Sequence, residues 1–240
     1  MAASAVPRWK TAITNALADH EKAIVVQIAS IDPTTPVPHV RSLIFREFIS
    51  PRSKPSLPLF LTTTDIRTPK ISQIISNPHV EVAWWIEGTR EQFRISGIAS
   101  AIPAPTNSLY KHFLHNVELA VPNSAVATLK DEHFDWEAKR KESFKNMSAH
   151  MKASWCRPTP GSPLEGGEEE AKKWPIRLEE PSEDGDEETK RNWDTALGNF
   201  ALLIVDPTDV DYVELGVIPN RRTRFWRTSD GSWDSEATVP

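Results

Sequence analysis

The sequence predicts a mainly β protein in which six or more antiparallel strands form a barrel flanked by helices. Two observations predict this class. Short runs rich in β-branched and aromatic residues recur along the chain, and several are joined by brief turns containing Pro, Gly, Asn or Asp. Helical patterns flank these runs. A sheet whose strands follow one another through local hairpins is antiparallel, and its closure gives a barrel.

The composition fits one folded domain over residues 1–240, because 240 residues with 39% hydrophobic content suffice for a full core. A net charge of −5 argues against a protein that binds nucleic acid through phosphate contacts. No apolar run approaches the length of a membrane span, and residues 1–4 lack the features of a secretory signal. The single cysteine, Cys156, excludes an internal disulfide, so we expect a cytoplasmic protein.

The first part of the chain predicts one helix and one hairpin. Residues 7–19 form an amphipathic pattern with an apolar face. Residues 23–31 and 38–48 are rich in strand-forming side chains and are joined by a short Pro/Thr turn. In the second strand Arg41 and Arg46 lie five residues apart, so they point to opposite faces unless a bulge intervenes.

The stretch 57–98 is the centre of the prediction. Residues 59–61 are an apolar run typical of a buried strand, and the polar residues 62–65 after it predict a turn. Thr68 and Pro69 suit the N-cap and first position of a helix, within which isoleucines recur at helical spacing. The helix ends at Asn77-Pro78, and a hairpin follows with strands at residues 80–86 and 92–101.

The residues around the start of that helix suit an anion. Backbone N–H groups at a helix start lack intrahelical partners and carry partial positive charge. Arg67 and Lys70 flank this start, and the hydroxyl groups of Thr63, Thr64 and Thr68 line it. A cationic, hydroxyl-rich cluster suits a terminal phosphate dianion. The alternative is an ordinary solvated helix start with two surface cations, and the spacing alone does not decide between the two.

Four motifs in a fixed order resemble the pyridoxamine 5′-phosphate oxidase family of FMN-binding split β-barrels. They are Arg41-x-x-x-x-Arg46, Thr64-Asp65-x-Arg67-Thr68-x-Lys70, Asn77-Pro78 and Arg90-Glu91-Gln92-x-Arg94-x-x-Gly97. The sequence looks closest to a loosely characterised branch found in fungi and cyanobacteria. The resemblance covers roughly residues 7–160 and 199–227. It implies a Greek-key split barrel, FMN as the cofactor, and a homodimer with FMN at the subunit interface.

The resemblance also implies which residues contact FMN. The counterpart of Arg41 contacts the phosphate side of FMN, and Gln92, whose amide suits the pyrimidine edge of the flavin, matches another contact position. An edge-strand polar residue is the alternative for Gln92. At the position of Arg46 the oxidases usually have a lysine. An arginine keeps the charge but not the point-charge geometry, so this difference affects whether the chain recognises the substrate of the oxidases. The expected cofactor-binding residues are Arg41, Ser42, Leu43, Arg46, Thr63, Thr64, Arg67, Thr68, Lys70, Gln92 and, from the closing strands, Arg222 and Arg224.

The rest of the chain adds helices, an acidic segment and the last strands. Residues 106–156 are helical in pattern and form an insertion, and residues 162–192 are so acidic that we expect a flexible loop. Residues 200–205 and 210–215 are strands separated by a turn at Asp206-Pro207, and residues 221–227 start the last strand. His112 and His115 have no third ligand at suitable spacing, so we expect no metal.

The family resemblance predicts an FMN-dependent oxidoreductase, with pyridoxamine or pyridoxine 5′-phosphate as the implied small-molecule substrate. The sequence marks no residue as an essential acid, base or nucleophile, so the catalytic residues stay unassigned. A second hypothesis is an FMN-binding protein without turnover, such as a flavin store or sensor. A third is a barrel that binds single-stranded nucleic acid through Trp and Arg, and the acidic net charge argues against it.

Overall fold

The structure, a computed structural model, describes residues 6–240. Eight strands are found within these residues. They are β1 (Val25–Ile31), β2 (Pro38–Ile49), β3 (Leu59–Asp65), β4 (His79–Ile86), β5 (Glu91–Ile102), β6 (Phe200–Glu214), β7 (Arg221–Arg227) and β8 (Trp233–Thr238).

Helices precede, connect and follow the first five strands. They are α1 (Arg8–Asp19), α2 (Pro69–Ser76), α3 (Tyr110–Glu118), α4 (Ala125–Asp131), α5 (Trp136–Lys145), α6 (Ala149–Trp155), α7 (Gly167–Ala171) and α8 (Glu187–Asn199). None of the helices in the described part of the chain combines the length and apolar character needed to cross a bilayer.

The strands form an antiparallel sheet in the order β3-β2-β1-β4-β5-β6-β7-β8, and a further pairing of β3 with β6 closes the first six into a barrel. The neighbours β3-β2-β1-β4 have the strand order of a Greek key. Strands β7 and β8 extend the sheet beyond the closure point. The predicted fold class, an antiparallel split β-barrel with flanking helices, is confirmed.

Aromatic side chains fill the barrel interior. Phe45, Phe60 and Trp84 lie there with ring centroids 4.8–6.0 Å apart, and α1 packs against the same cluster through Trp9 and Ile13, both fully buried. Burial of each such side chain contributes about 1.5–3 kcal/mol before entropy is considered. The apolar face predicted for residues 7–19 is therefore the face that packs on the barrel.

A second apolar core lies between the outer side of β3 and β6 and the helices α3 to α6 and α8. The fully buried Arg140 on α5 fixes this contact, since its guanidinium donates to the carbonyl oxygens of Leu197 and Phe200 at 2.6 and 3.1 Å. Glu137 on the same helix accepts two further hydrogen bonds from Arg140. The helical pattern of residues 106–156 thus corresponds to four helices packed on one side of the barrel.

The predicted turn at residues 62–65 is wrong, because β3 continues through Asp65. The three threonines there are β-branched and favour extended backbone. Thr62 also donates its hydroxyl to the Ile44 carbonyl at 2.8 Å, and β6 pairs with β3 as far as Asp65. The strands β2 and β6 that pair with these residues are distant in the sequence, so a local pattern does not reveal that β3 continues.

The closing strands also differ from the prediction. The turn expected at Asp206-Pro207 is absent, because β6 runs unbroken from Phe200 to Glu214 and tolerates Pro207 opposite a register shift at Ser96/Gly97. Gly97 is close to the β6 backbone, since a Cβ there would lie 2.4 Å from the Asp206 carbonyl oxygen. Strand β8 follows β7, so residues 221–227 are not the last strand.

The acidic segment 162–192 contains α7 and the first residues of α8. Its chain is tied to the rest of the molecule at Leu178, which is buried in the second core and donates its backbone N–H to Ala149. The flexibility expected for the remaining, largely exposed residues stays a prediction.

Candidate cofactor site

A cationic cluster lies where α2 meets the end of β3. Lys70, in the first turn of α2, donates from its ammonium group to the hydroxyl oxygens of Thr64 and Thr68 at 2.9 and 2.8 Å. Thr68 is the N-cap residue, but its side chain makes no capping bond and instead donates to the Asp65 carbonyl at 2.7 Å. The lysine is thus directed back across the helix start rather than into solvent.

Arg41 of β2 adds a second cation to this cluster. Its two terminal nitrogens donate to the hydroxyl of Ser30 at 2.6 Å and to the side-chain oxygen of Gln73 at 2.8 Å. Ser30 and Gln73 are themselves joined by a hydrogen bond of 2.6 Å. Because both partners are neutral, they orient the guanidinium without cancelling its charge.

No carboxylate forms a direct ion pair with the cations of the cluster within the described residues. Among residues 6–240, no carboxylate oxygen lies within 4 Å of a charged nitrogen of Arg41, Arg46 or Lys70, although ion pairs are common elsewhere. Burial, followed by the positive charge of Arg41, lowers the pKa of Lys70 to about 8, and the more distant Asp65 only partly offsets this. A site that lowers a lysine pKa in this way favours an anionic ligand.

Arg67 is directed toward the helical insertion instead. Its guanidinium forms a bidentate pair with Asp65 at 3.0 and 2.6 Å, and it donates to the backbone carbonyls of Trp155 and Arg157. Four of its five N–H groups therefore have protein partners. This residue joins β3 to the end of α6, and its expected contact with the cofactor stays a prediction.

Arg46 lies in a β-bulge, the irregularity on which its predicted direction relative to Arg41 depends. The register of β2 against β3 shifts between Phe45 and Glu47, so Arg46 is the extra residue of the bulge. Its guanidinium lies near the Thr63 hydroxyl at 3.3–3.4 Å. Leu43, two residues before Phe45, packs against the barrel core.

Four other expected residues lie on the outer surface of the barrel. The strand registers place Ser42, Gln92, Arg222 and Arg224 on one side of the sheet, together with Trp85. We call this outward side of β1, β2, β4, β5, β6 and β7 the open sheet face. Hydrogen bonds from Arg222 and Arg94 lower the pKa of Asp211 there. Within the described chain, none of these four residues hydrogen-bonds to the cationic cluster at the start of α2. We call that cluster, which consists of Arg41, Lys70, Thr64 and Thr68, the Arg41–Lys70 cluster.

Sequence reasoning missed Ser30 and Gln73, which hold Arg41. No local signal was available, because Gln73 lies on the side of α2 opposite its isoleucines, a side that the isoleucine spacing marks as exposed. In the structure Gln73 is buried, and a buried polar side chain requires a hydrogen-bond partner. Its partners Ser30 and Arg41 belong to a hairpin that is distant in the sequence, so a local pattern does not identify them.

The residues of the cluster fit the phosphate of a mononucleotide. Two cations without carboxylate partners, two hydroxyls and a helix start converge on one side of α2. Burial disfavours positive charges that have no counter-ion, and a dianion bound beside these cations would offset this cost. The fold and site therefore define a class of protein, the split β-barrels with an anion site that suits the phosphate of a mononucleotide.

Comparison with known proteins shows which family the first half of the chain resembles. Residues 6–103 match the family model described as the FMN-binding domain of pyridoxamine 5′-phosphate oxidase. This part of the chain is therefore similar to an FMN-binding domain of that family, and the match supports FMN as the cofactor. The matched range includes β1 to β5 and α2, and therefore the complete Arg41–Lys70 cluster.

Full-length relatives extend the similarity beyond this range. A curated protein of Arabidopsis thaliana, pyridoxine/pyridoxamine 5′-phosphate oxidase 2, is 25% identical over 207 residues, which cover 85% of this chain and 81% of that protein. A crystal structure of a pyridoxamine 5′-phosphate oxidase-related FMN-binding protein from Nostoc punctiforme has a TM-score of 0.70 at 26% identity, over 98% of this chain and 100% of the other. PhzG from Burkholderia lata, at 12% identity and a TM-score of 0.57 over 98% and 93% of the two chains, shares the fold.

Proposed function

We propose that the chain is an FMN-dependent oxidoreductase of the pyridoxamine/pyridoxine 5′-phosphate oxidase type. The observation that carries this proposal is the uncompensated pair Arg41 and Lys70 beside the start of α2, a site built for the cofactor phosphate. Bound FMN supplies a two-electron acceptor that no side chain of the chain offers. The protein contributes orientation, charge and exclusion of water around it.

The residues around the cluster have different proposed roles. Arg41, Lys70, Thr64 and Thr68 bind the phosphate, with Leu43, Arg46, Thr63 and Arg67 around them. Ser42 lies on the open sheet face and is proposed to contact the cofactor from that side. Gln92 on the open sheet face is proposed to hydrogen-bond the flavin ring, because its amide offers both donors and an acceptor. Arg222 or Arg224 reaches the flavin of a second subunit.

A homodimer accounts for the exposed apolar part of the open sheet face. Val40 and Trp85 are 65% and 40% exposed there, and Val25 and Ile31 of the intervening strand are also exposed. Large exposed apolar side chains grouped on one surface are typical of an interface. A second copy on this face would bring Gln92, Arg222 and Arg224 of the two subunits close to the interface.

The substrate class rests on the family and on the Arabidopsis relative, whose name gives pyridoxine and pyridoxamine 5′-phosphate. A steady-state assay of the purified yellow protein tests it, with pyridoxamine or pyridoxine 5′-phosphate as substrate and peroxide release under air as the readout. Turnover above a protein-free blank supports the oxidase. Its absence across both substrates, in protein that retains FMN, would favour binding without turnover.

We also propose that the protein acts in the cytoplasm, because its single cysteine is unpaired, as is usual in a reducing compartment.

The second candidate, an FMN-binding protein without turnover, is favoured by one observation. Arg46 replaces the lysine that the oxidases usually place near the flavin and substrate, and its guanidinium lies against Thr63 within a bulge. An arginine preserves the charge but not the compact point-charge geometry of a lysine. In the same assay, an Arg46→Lys variant that gains peroxide release relative to the wild type would favour this candidate.

A further inference from the structure

We infer that Gln73 and Ser30 form a neutral fork that positions Arg41 for the cofactor phosphate while leaving its charge available. This inference rests on the proposed role of Arg41 in binding phosphate. The two oxygens of the fork, Ser30 Oγ and Gln73 Oε1, face the two terminal nitrogens of the guanidinium at 2.6 and 2.8 Å. The side chains of both residues are buried.

The geometry of the fork resembles that of a carboxylate. Carboxylates bind arginine with two oxygens side by side, and this arrangement fixes the plane of the guanidinium. Here the two oxygens come from different elements, β1 and α2, and the hydrogen bond of 2.6 Å from Ser30 to Gln73 holds them together. Because neither arginine nor the serine proton can accept a hydrogen bond, the side-chain oxygen of Gln73 must face them.

The neutrality of the fork is what matters for binding. A guanidinium paired with aspartate, as Arg67 is with Asp65, brings little net charge to a ligand. Arg41 uses two of its five N–H groups on the fork and keeps its full charge, and this charge contributes to the lowered pKa of the neighbouring Lys70. Gln73 and Ser30 are therefore positioning residues, which act on the phosphate only through Arg41.

The test compares FMN with riboflavin, which has the same ring system but no phosphate. Full-length protein is stripped of flavin, and both ligands are titrated by the quenching of flavin fluorescence. Gln73→Glu keeps an oxygen that can accept from Arg41, loses the amide that donates to Asp32, and adds a negative charge beside the guanidinium. We expect its FMN affinity to fall by about 10–100-fold, while its riboflavin affinity stays within about threefold of the wild type. A purely structural defect would weaken both ligands equally.

Two further variants keep the test decisive. Ser30→Ala removes one oxygen of the fork with little change in volume, and we expect a smaller selective loss of FMN affinity, about 3–10-fold. Ser72→Ala, at an exposed position of the same helix, is the matched control and should change neither affinity. Thermal unfolding confirms that each variant is folded.

The outcomes separate this inference from the proposed function. If the wild type binds riboflavin as tightly as FMN, the phosphate site itself is misplaced. If the wild type prefers FMN and both Gln73→Glu and Ser30→Ala keep that preference unchanged, the phosphate site stands and the positioning role of the fork is refuted.

Discussion

The ammonium nitrogen of Lys70 lies 2.9 Å from the hydroxyl oxygen of Thr64, a contact that joins the first turn of α2 to the end of β3. Because Thr64 is neutral, this hydrogen bond directs the lysine without cancelling its charge. The same is true of Arg41 and its fork. Within residues 6–240, a barrel with many surface ion pairs thus keeps two partly buried cations that no carboxylate contacts directly. The predictions below follow from that charge.

Lys70 and Arg67 differ in their partners, so single substitutions should separate their roles. Lys70→Ala should lower FMN affinity by about 10–100-fold, because a charge-assisted contact with the phosphate is lost. Arg67→Ala should mainly lower the Tm, because the ties to Asp65 and to the end of α6 are lost. Flavin content per protein and thermal unfolding measure the two effects, and the double variant should purify colourless.

Equal loss of flavin from the two single variants would instead assign Arg67 a direct contact with the phosphate. A double variant that still purifies yellow would place the phosphate site elsewhere in the molecule. Lys70→Arg is the conservative control, since it keeps the charge but not the compact ammonium geometry.

FMN affinity should decrease at alkaline pH. Burial and Arg41 lower the pKa of Lys70 to about 8 in the free protein, and a bound dianion raises it again because it stabilises the charged form. Between a pH of about 6, where a phosphate monoester becomes a dianion, and the pKa of Lys70, both charges are present and affinity is constant. Above it, binding requires uptake of a proton, and affinity falls by up to about tenfold for each pH unit.

Titrations of FMN and riboflavin on both sides of that pKa check this dependence. Riboflavin and the Lys70→Arg variant should lack the Lys70-linked decrease, and a wild-type FMN affinity that stays level would contradict the assignment.

The stability of the free protein should have the opposite pH dependence to its FMN affinity. Since the folded-state pKa is below the ordinary value of 10.5, the contribution of Lys70 to the free energy of unfolding increases as pH rises from about 8 toward 10.5.

Trp85→Glu should dissociate the proposed dimer. The substitution places a charge on the apolar part of the open sheet face, where a paired surface would have to desolvate it. Size-exclusion chromatography with light scattering gives the mass. Leu119→Glu, at a side chain that is 68% exposed just after α3, is the matched control and should leave the mass unchanged. A monomeric wild type would rule out the dimer.

Gly97→Ala should destabilise the barrel, because the added Cβ would lie 2.4 Å from the Asp206 carbonyl oxygen and force β5 and β6 apart. We expect a loss of about 1–3 kcal/mol in the free energy of unfolding, measured by urea titration. Gly198→Ala is the control, since a Cβ in that part of α8 meets no atom within 4 Å. It should be neutral or stabilising by up to about 1 kcal/mol. Equal losses in the two variants would contradict the close approach.

Sequence reasoning succeeded where the signal was local. The alternation of apolar side chains in β4 and β5 and the Thr68-Pro69 start of α2 gave elements that the structure places within one or two residues. It failed where a pairing partner from elsewhere in the chain decided the outcome. The threonines of β3 became strand because β6 lies beside them, and Pro207 stayed within β6 because a bulge in the register accommodates it.

By itself, the sequence determined the strand-rich class, the cationic helix start and the motifs of an FMN-binding family, because each depends on residues close together in the chain. Only the tertiary structure decided which cations lack a carboxylate partner. Arg67 has its carboxylate two residues away, whereas Arg41 has a neutral fork drawn from β1 and α2. The net charge offered to a phosphate depends on such long-range neighbours, and spacing along the chain does not encode them.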